Sequence, residues 1–411
     1  MAANQFQIDT HTATLSPLDV RSAEYQSAPY EVLAKLQAES PLARSHRGVE
    51  ILSYDLCQEV LGDPRLQTAD TAHFRQRSAP PILLDFVSEG LLLNMPRERH
   101  DPVRKVLARA FGARQVGEQR GQIQEVLRDV LEQPLKAGTM DVVQDFTRLY
   151  PMQVLCRFLG VPTSDLHQFA QSAVELELMG SSPLQPAFPR LEAALTTLRD
   201  YVDNLVAQRA RDPEDDFISA LVSAQGEEDA LTHTEVVWGI VNLLFAGQDT
   251  TRNQLASVIR AITENELWPH LDEHPESIPA VMEEALRTYP VVQFLLRLPT
   301  EDVEVGPYAF RKGDRVILNM LAASRDPVIF HDPNAFLPTR DSKYNLLFGY
   351  GMHYCLGRNL ARLEMQLALE YLAQHLTQVS IAAPVTTSGW RPMLGGPVDL
   401  ILKFAPVTPK Y

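Results

Sequence analysis

Through most of the chain up to Pro290, apolar side chains return every three or four positions, the period of a helix with one buried face. EYQSAPYEVLAKLQAESP predicts an early helix closed by Pro41. GVEILSYDLCQEVLGDP predicts a short strand running into a helix. From Leu66 to Leu93 the pattern breaks up among prolines and scattered large apolar residues, which predicts a long functional loop with short helical pieces. Further helices are predicted from about Arg97 to Phe111, over VGEQRGQIQEVLRDVLEQ, over MDVVQDFTRLYPMQVLCRFLG with Gly160 as its stop, and from about Leu191 to Arg211. MGSSPLQPAFPR is turn-rich and reads as a surface connection. The longest helical signal runs from Thr232 to Glu266, where Thr232 and Glu235 have the spacing of a capping box.

After Pro290 the period changes. VVQFLLRLPTEDVEVGPYAFRKGDRVILN alternates as strands do, with turns at its GP and KGD steps, and GGPVDLILKF predicts a second hairpin near the C-terminus. The fold class that follows is mainly α with small β-sheets, the hairpins lying roughly at 290–320 and 380–404. Regularly alternating strands and helices, as an α/β fold requires, are not present. No repeat or low-complexity linker divides the chain, so residues 1–411 are expected to form one domain.

Bulk properties narrow the function. The formal net charge of −15 removes electrostatic support for a nucleic-acid role. The polar start MAANQFQIDTHTATLSPLDV has no apolar core segment, and the most apolar run, VVWGIVNLLFAG, is too short to span a bilayer. Three cysteines, Cys57, Cys156 and Cys355, argue for a reducing cytoplasm and against a disulfide framework. Cys57 and Cys156 lie in apolar helical settings and are expected to be packing residues.

Cys355 lies in FGYGMHYCLG, among three glycines, an aromatic residue and a histidine. A zinc site needs four ligands, usually as two close pairs, and here only His353 is near. A thiol nucleophile, supported by the helix predicted after Gly357, remains open. So does a haem-thiolate ligand, which needs backbone N–H groups aimed at the sulfur and a chain free to turn tightly around it.

The loop resembles the haem-binding loop of the cytochromes P450, matching Phe-Gly-x-Gly-x-His-x-Cys-x-Gly at every fixed position. Three other segments are similar to the same family in the right order: Glu284-Ala-Leu-Arg287 to its Glu-x-x-Arg pair, AGQDTT to its oxygen-activating segment, and FLPTR to the stretch whose arginine, Arg340 here, joins that pair. The resemblance is weakest in the first sixty residues and from Leu66 to Leu93. It implies the P450 fold, with haem b buried between the long central helix and the cysteine loop, and Cys355 as the iron ligand. Phe348 would pack beside the haem ring, Gly349 and Gly357 would let the loop turn tightly, and Ala246 and Gly247 would leave room for a small molecule. Asp249 would relay protons from solvent while Thr250 donates a hydrogen bond to the oxygen under activation. His100, Arg104, Arg297 and His353 would hold the haem propionates. Glu284, Arg287 and Arg340 would be structural.

The resemblance further implies a monooxygenase that inserts one atom of O2 into a hydrophobic small molecule. Hydroxylation, epoxidation and O-dealkylation all fall within that reading. The pocket stretches offer Phe74, Leu84, Phe86, Val87, Val241, Leu244, Phe245, Val292, Phe294, Leu295, Met393 and Leu394, which are apolar. No flavin, nicotinamide or iron–sulfur motif is present. Electrons are therefore expected from NAD(P)H indirectly, through a separate ferredoxin and its reductase, with docking on Arg104, Lys105, Arg109, Arg358 and Arg362. A peroxide-driven peroxygenase or isomerase on the same scaffold, and a haem-binding sensor without turnover, are the alternatives; the intact Asp249–Thr250 pair disfavours both.

Overall fold

Thr232 and Glu235 close the reciprocal cap that their spacing predicts. The Thr232 hydroxyl accepts from the Glu235 N–H, and the Glu235 carboxylate accepts from the Thr232 N–H at 2.8 Å. The helix they start, His233–Glu264, is the longest element of the computed structural model, which describes residues 8–68, 71–95, 97–181, 183–226, 231–387 and 394–406. These residues fall into two compact units.

The first unit draws on Met1–Ala69, Ala280–Cys355 and Ser388–Gly396. Its larger sheet has the order Leu42–Ser45, Gly48–Ile51, Val316–Asn319, Phe294–Pro299, Leu66–Gln67. Only the Gly48–Ile51 and Val316–Asn319 pair is parallel. A second sheet joins Ile8–Asp9, Tyr308–Phe310 and Val303–Val305. The strands expected after Pro290 therefore form, with the GP turn between the last two. Leu42, Ile51, Val60, Phe310, Val316 and Leu318 build the core beneath them, and Cys57 packs there fully buried. Burial pushes its thiol pKa far up.

The second unit draws on Asp70–Pro279, Leu356–Thr387 and Pro397–Tyr411. Helices Phe188–Arg211 and Tyr150–Leu159 pack on the long helix. One sheet orders Leu376–Ile381, Ile401–Pro406 and Thr139–Asp141, which realises the expected C-terminal pairing. Cys156 is buried here and its thiol rises to about 12.

Three predicted helices are divided. The early one breaks into Ala23–Ser27 and Pro29–Glu39, because Pro29 has no N–H to give the preceding turn and instead starts a new one. The next splits at Gln119 into Ala113–Glu118 and Arg120–Ala137. The stretch expected as one buried helix up to Gly160 is a strand, a wide π-type turn over Val142–Thr147, and helix Tyr150–Leu159. Asp141 accepts from the N–H groups of Val143 and Gln144, which ends the strand, and Pro151 sits in the first turn of the helix. Gly160, at φ 85°, stops it as expected.

Candidate active site

The cysteine loop is shaped by local backbone demands. Gly349 and Gly351 have φ of 76° and 68°, left-handed values that other residues reach only with strain. Gly351 also lies against the end of helix Tyr54–Gly62, where a Cβ would come 2.8 Å from the Leu61 carbonyl oxygen. The Cys355 N–H donates to Phe348 O at 2.8 Å, and Tyr354 N–H to Gly351 O at 3.1 Å. Phe348, His353 and Cys355 are all half-buried, so the thiol is reachable, unlike those of Cys57 and Cys156. Gly357 has an ordinary φ and caps helix Arg358–His375; a Cβ there would meet nothing within 4 Å.

Behind the loop's approach, Glu284 and Arg287 share one face of helix Ile278–Thr288 and are both buried. Arg287 donates Nε–H to Glu284 Oε2 (2.9 Å) and Nη2–H to Oε1 (2.7 Å). Its remaining donors reach the carbonyls of Ser324, Pro333 and Ala335 at 2.8–3.0 Å. Arg340 adds Nε–H to Glu284 Oε1 (3.1 Å) and binds the carbonyls of His331 and Asp332. The Leu337 N–H completes the set on Oε1 at 2.8 Å. Glu284 thus joins Arg287, its partner by spacing, to Arg340, and the three tie the 324–340 segment to the helix.

The long helix has one open strip. Ala246 is exposed, and Phe245, Gly247 and Thr250 are partly so, although the residues around them are buried. Gly247 owes its size to packing: a Cβ would come 3.0 Å from Leu155 Cδ2. Thr250 donates its hydroxyl proton to Ala246 O at 2.9 Å, so in this rotamer the oxygen presents its lone pairs and is an acceptor. Asp249 is buried, with Oδ1 3.0 Å from Arg252 Nη2; the same nitrogen donates to Glu177 Oε1 at 3.1 Å.

Four groups were expected to bind anions. His100 is fully buried, its Nδ1 2.8 Å from Asp101 Oδ1, and Arg104, one turn on, is half-buried. His353 is half-buried in the cysteine loop. Arg297 is the most telling. It is 4% exposed, and its Nη1–H donates to the adjacent Leu296 O at 3.0 Å, with no carboxylate paired to it among the described residues. Burial lowers its pKa to about 10. A buried guanidinium without a counter-charge is costly, and an anionic group is what this environment would accept. The first unit thus has what a propionate-bearing haem needs, a half-buried thiol in a glycine loop and a buried unneutralised cation; the long helix of the second unit, taken by itself, has an open strip at Ala246.

The apolar candidates divide. Leu84, Phe245, Val292, Leu295 and Leu394 are partly exposed, and Val292 bridges Leu394. Phe74 is nearly closed off. Phe86, Val87, Val241 and Leu244 have no open surface at all; the Phe86 ring packs on Trp238 with centroids 5.4 Å apart. They are core, contrary to expectation, because helical periodicity marks a buried face without saying what buries it. Phe294 is half-buried but lies three residues from Arg297 in a regular strand, so it points to the opposite sheet face, where Arg47 stacks 4.3 Å from its centroid. Met393 lies outside the described residues.

Two features escaped the sequence reading. Arg252 stands three residues after Asp249, a spacing that could have flagged the ion pair. Glu177, far away in the chain, gave no signal. Buried Arg47 pairs Nε and Nη2 with the two oxygens of buried Glu50 at 2.8 and 2.9 Å, and this too went unread.

The cytochrome P450 family model matches residues 276–381. The chain is 34% identical to nocardicin C N-oxygenase of Nocardia uniformis subsp. tsuyamanensis over 89% of this chain and 93% of that protein. It is 32% identical to mycinamicin IV hydroxylase/epoxidase of Micromonospora griseorubida, covering 85% and 88%. The crystal structure of CalO2 superposes with a TM-score of 0.87 at 26% identity, covering 95% of this chain and all (100%) of that one. Fold and relatives define the class: an oxygen-activating enzyme that works through haem b and O2 with electrons from redox partners. The chain belongs to the cytochrome P450 family and is a monooxygenase. No helix among the described residues is long and apolar enough to cross a membrane.

Proposed function

We propose that this monooxygenase oxidises a hydrophobic small molecule, that Cys355 is the thiolate ligand of its haem, and that both units act as one domain. The observation that carries the assignment is the cysteine loop. Two left-handed glycines and the Cys355 N–H to Phe348 O bond hold a reachable thiol just before a helix N-terminus, whose positive end favours the thiolate. Arg297, with His100, Arg104 and His353, would hold the propionates. Haem, when bound, supplies the iron on which O2 is reduced.

The remaining tasks fall to side chains. Thr250, its proton engaged by Ala246 O, can accept a hydrogen bond from a protonated oxygen beside the open strip, or rotate and donate. Asp249 is the nearest acid along the helix to pass protons toward it. Leu84, Phe245, Val292, Leu295 and Leu394 exclude water and favour an apolar guest. Lys105 and Arg109 are exposed, Arg104, Arg358 and Arg362 half-exposed, and the Asn359 side-chain N–H bond to Phe111 O ties their two segments together. That cationic group on an acidic protein suits an acidic ferredoxin.

The test is turnover with a surrogate ferredoxin and reductase, on a compound found by screening for the optical change of substrate binding. Thr250→Ala is expected to raise peroxide per NADH and to cut product per NADH about tenfold or more. Unchanged coupling would remove the proton role. Arg297→Leu separates two effects of opposite sign. It removes a buried unneutralised charge, so apoprotein unfolding should shift to higher temperature; it removes the anion partner, so haem should dissociate about tenfold more readily. Haem retention equal to wild type would refute the assignment of Arg297.

A further inference from the structure

We propose, resting on the hydrophobic-substrate reading above, that Asn242 determines specificity: its side-chain amide binds a neutral hydrogen-bonding group, a hydroxyl or a carbonyl, carried by an otherwise apolar substrate. Asn242 is the one amide in VVWGIVNLLFAG, the most apolar run of the chain. It lies inside helix His233–Glu264 and is 8% exposed. Neither its Oδ1 nor its Nδ2 has a hydrogen-bond partner among the described residues. Gln248 Oε1, farther along the helix, is fully enclosed, whereas neither amide atom of Asn242 is. An amide buried without partners is costly, so an apolar run is a poor place for one that merely packs.

Helical spacing sets the direction of the side chain. Trp238, Asn242, Ala246 and Thr250 follow one another at steps of four and form a single ridge. At one end the Phe86 ring packs on Trp238, with centroids 5.4 Å apart. At the other lies the open strip, where Ala246 is exposed. Asn242 stands between them, one turn or about 6 Å along the axis from Ala246. A guest that fills the strip with carbon alone takes water from the amide and strands one acceptor and two donors. A guest with a hydroxyl or carbonyl about one turn from the carbon at Ala246 replaces the lost bonds. Trp238, Asn242, Ala246 and Thr250 carry no charge, so this ridge matches a neutral group and not an ion. A hydrocarbon of the same shape is bound more weakly because it leaves the amide bare.

The experiment titrates the haem-loaded full chain with two matched sets, adamantane with adamantanone and adamantanol, and cyclododecane with cyclododecanone and cyclododecanol, and reads the optical change of substrate binding. The wild type binds the ketone and the alcohol about tenfold more tightly than the hydrocarbon of the same skeleton. Asn242→Leu, close in size and without the amide, brings the three within about twofold of one another, chiefly by weakening the ketone and the alcohol. A readout independent of haem is thermal unfolding of the apoproteins. Asn242→Leu loses no hydrogen bond within the protein, so its midpoint equals or exceeds that of the wild type; a lower midpoint would mean that the amide serves the fold, and overturns the proposal. Equal binding of ketone and hydrocarbon by the wild type, or a preference that persists in Asn242→Leu, overturns the role of Asn242 alone. If no compound of either set binds the wild type, the hydrophobic-substrate reading falls, and the proposal with it.

Discussion

Cys355→Ser removes the thiolate character of the reduced, carbon monoxide-bound spectrum and reduces turnover to background, while the protein stays folded. The reasoning separates the side chain from its support. The loop is held by its backbone: Cys355 N–H to Phe348 O, Gly349 N–H to Leu346 O, and two left-handed glycines. None of these involves the sulfur, and the residue is half-buried, so exchange for a hydroxyl of similar size should alter unfolding by no more than about 0.5 kcal/mol. What changes is the donor. A thiolate pushes electron density onto iron and favours O–O cleavage, and a serine hydroxyl does not supply it. Cys57→Ser and Cys156→Ser are the controls. Both thiols are enclosed and raised in pKa by burial, so these variants should lose stability, since a hydroxyl is placed in apolar surroundings, yet keep the thiolate spectrum. A thiolate spectrum surviving in Cys355→Ser would end the assignment.

What the sequence made legible was whatever a few adjacent residues decide. The glycines before Cys355 announce left-handed backbone, and Thr232 with Glu235 announces a helix start; the structure has both. Glu284 and Arg287 are three apart on a helix, so their pairing is a matter of geometry. Contacts across long chain separations stayed hidden, as between Arg252 and Glu177. Packing stayed hidden as well: Val241 and Leu244 carry the same apolar pattern as Phe245, yet only Phe245 keeps open surface. The placement of Phe294 was readable and was misjudged, since an odd separation from Arg297 on a strand already sets the two on opposite faces. The break of the 140–160 stretch turned on Asp141 and Pro151, local signals weaker than the hydrophobic run around them.

The second large effect falls on Glu284. Glu284→Ala is expected to destabilise by about 3–5 kcal/mol, because it leaves Arg287, itself 4% exposed, as a buried charge without its partner. It also strands the Leu337 N–H. Against a total stability of about 5–15 kcal/mol, that loss puts the fold near its threshold, and haem incorporation during expression should drop with it. A solvated salt bridge would give a loss of about 0–1 kcal/mol instead, so the size of the effect decides between the two readings. Arg287→Lys is the finer test. The five N–H groups of a guanidinium meet five acceptors here: two carboxylate contacts and three carbonyls. Lysine brings three donors, so it keeps the charge and still leaves acceptors unmet. Arg340→Ala removes one carboxylate contact and the ties to His331 and Asp332, from a more open position, and should cost least. Urea unfolding of the apoproteins should therefore rank Glu284→Ala as the most damaging, then Arg287→Lys, then Arg340→Ala. An Arg287→Lys protein as stable as wild type would mean that charge alone, and not the fork of donors, holds the 324–340 segment in place.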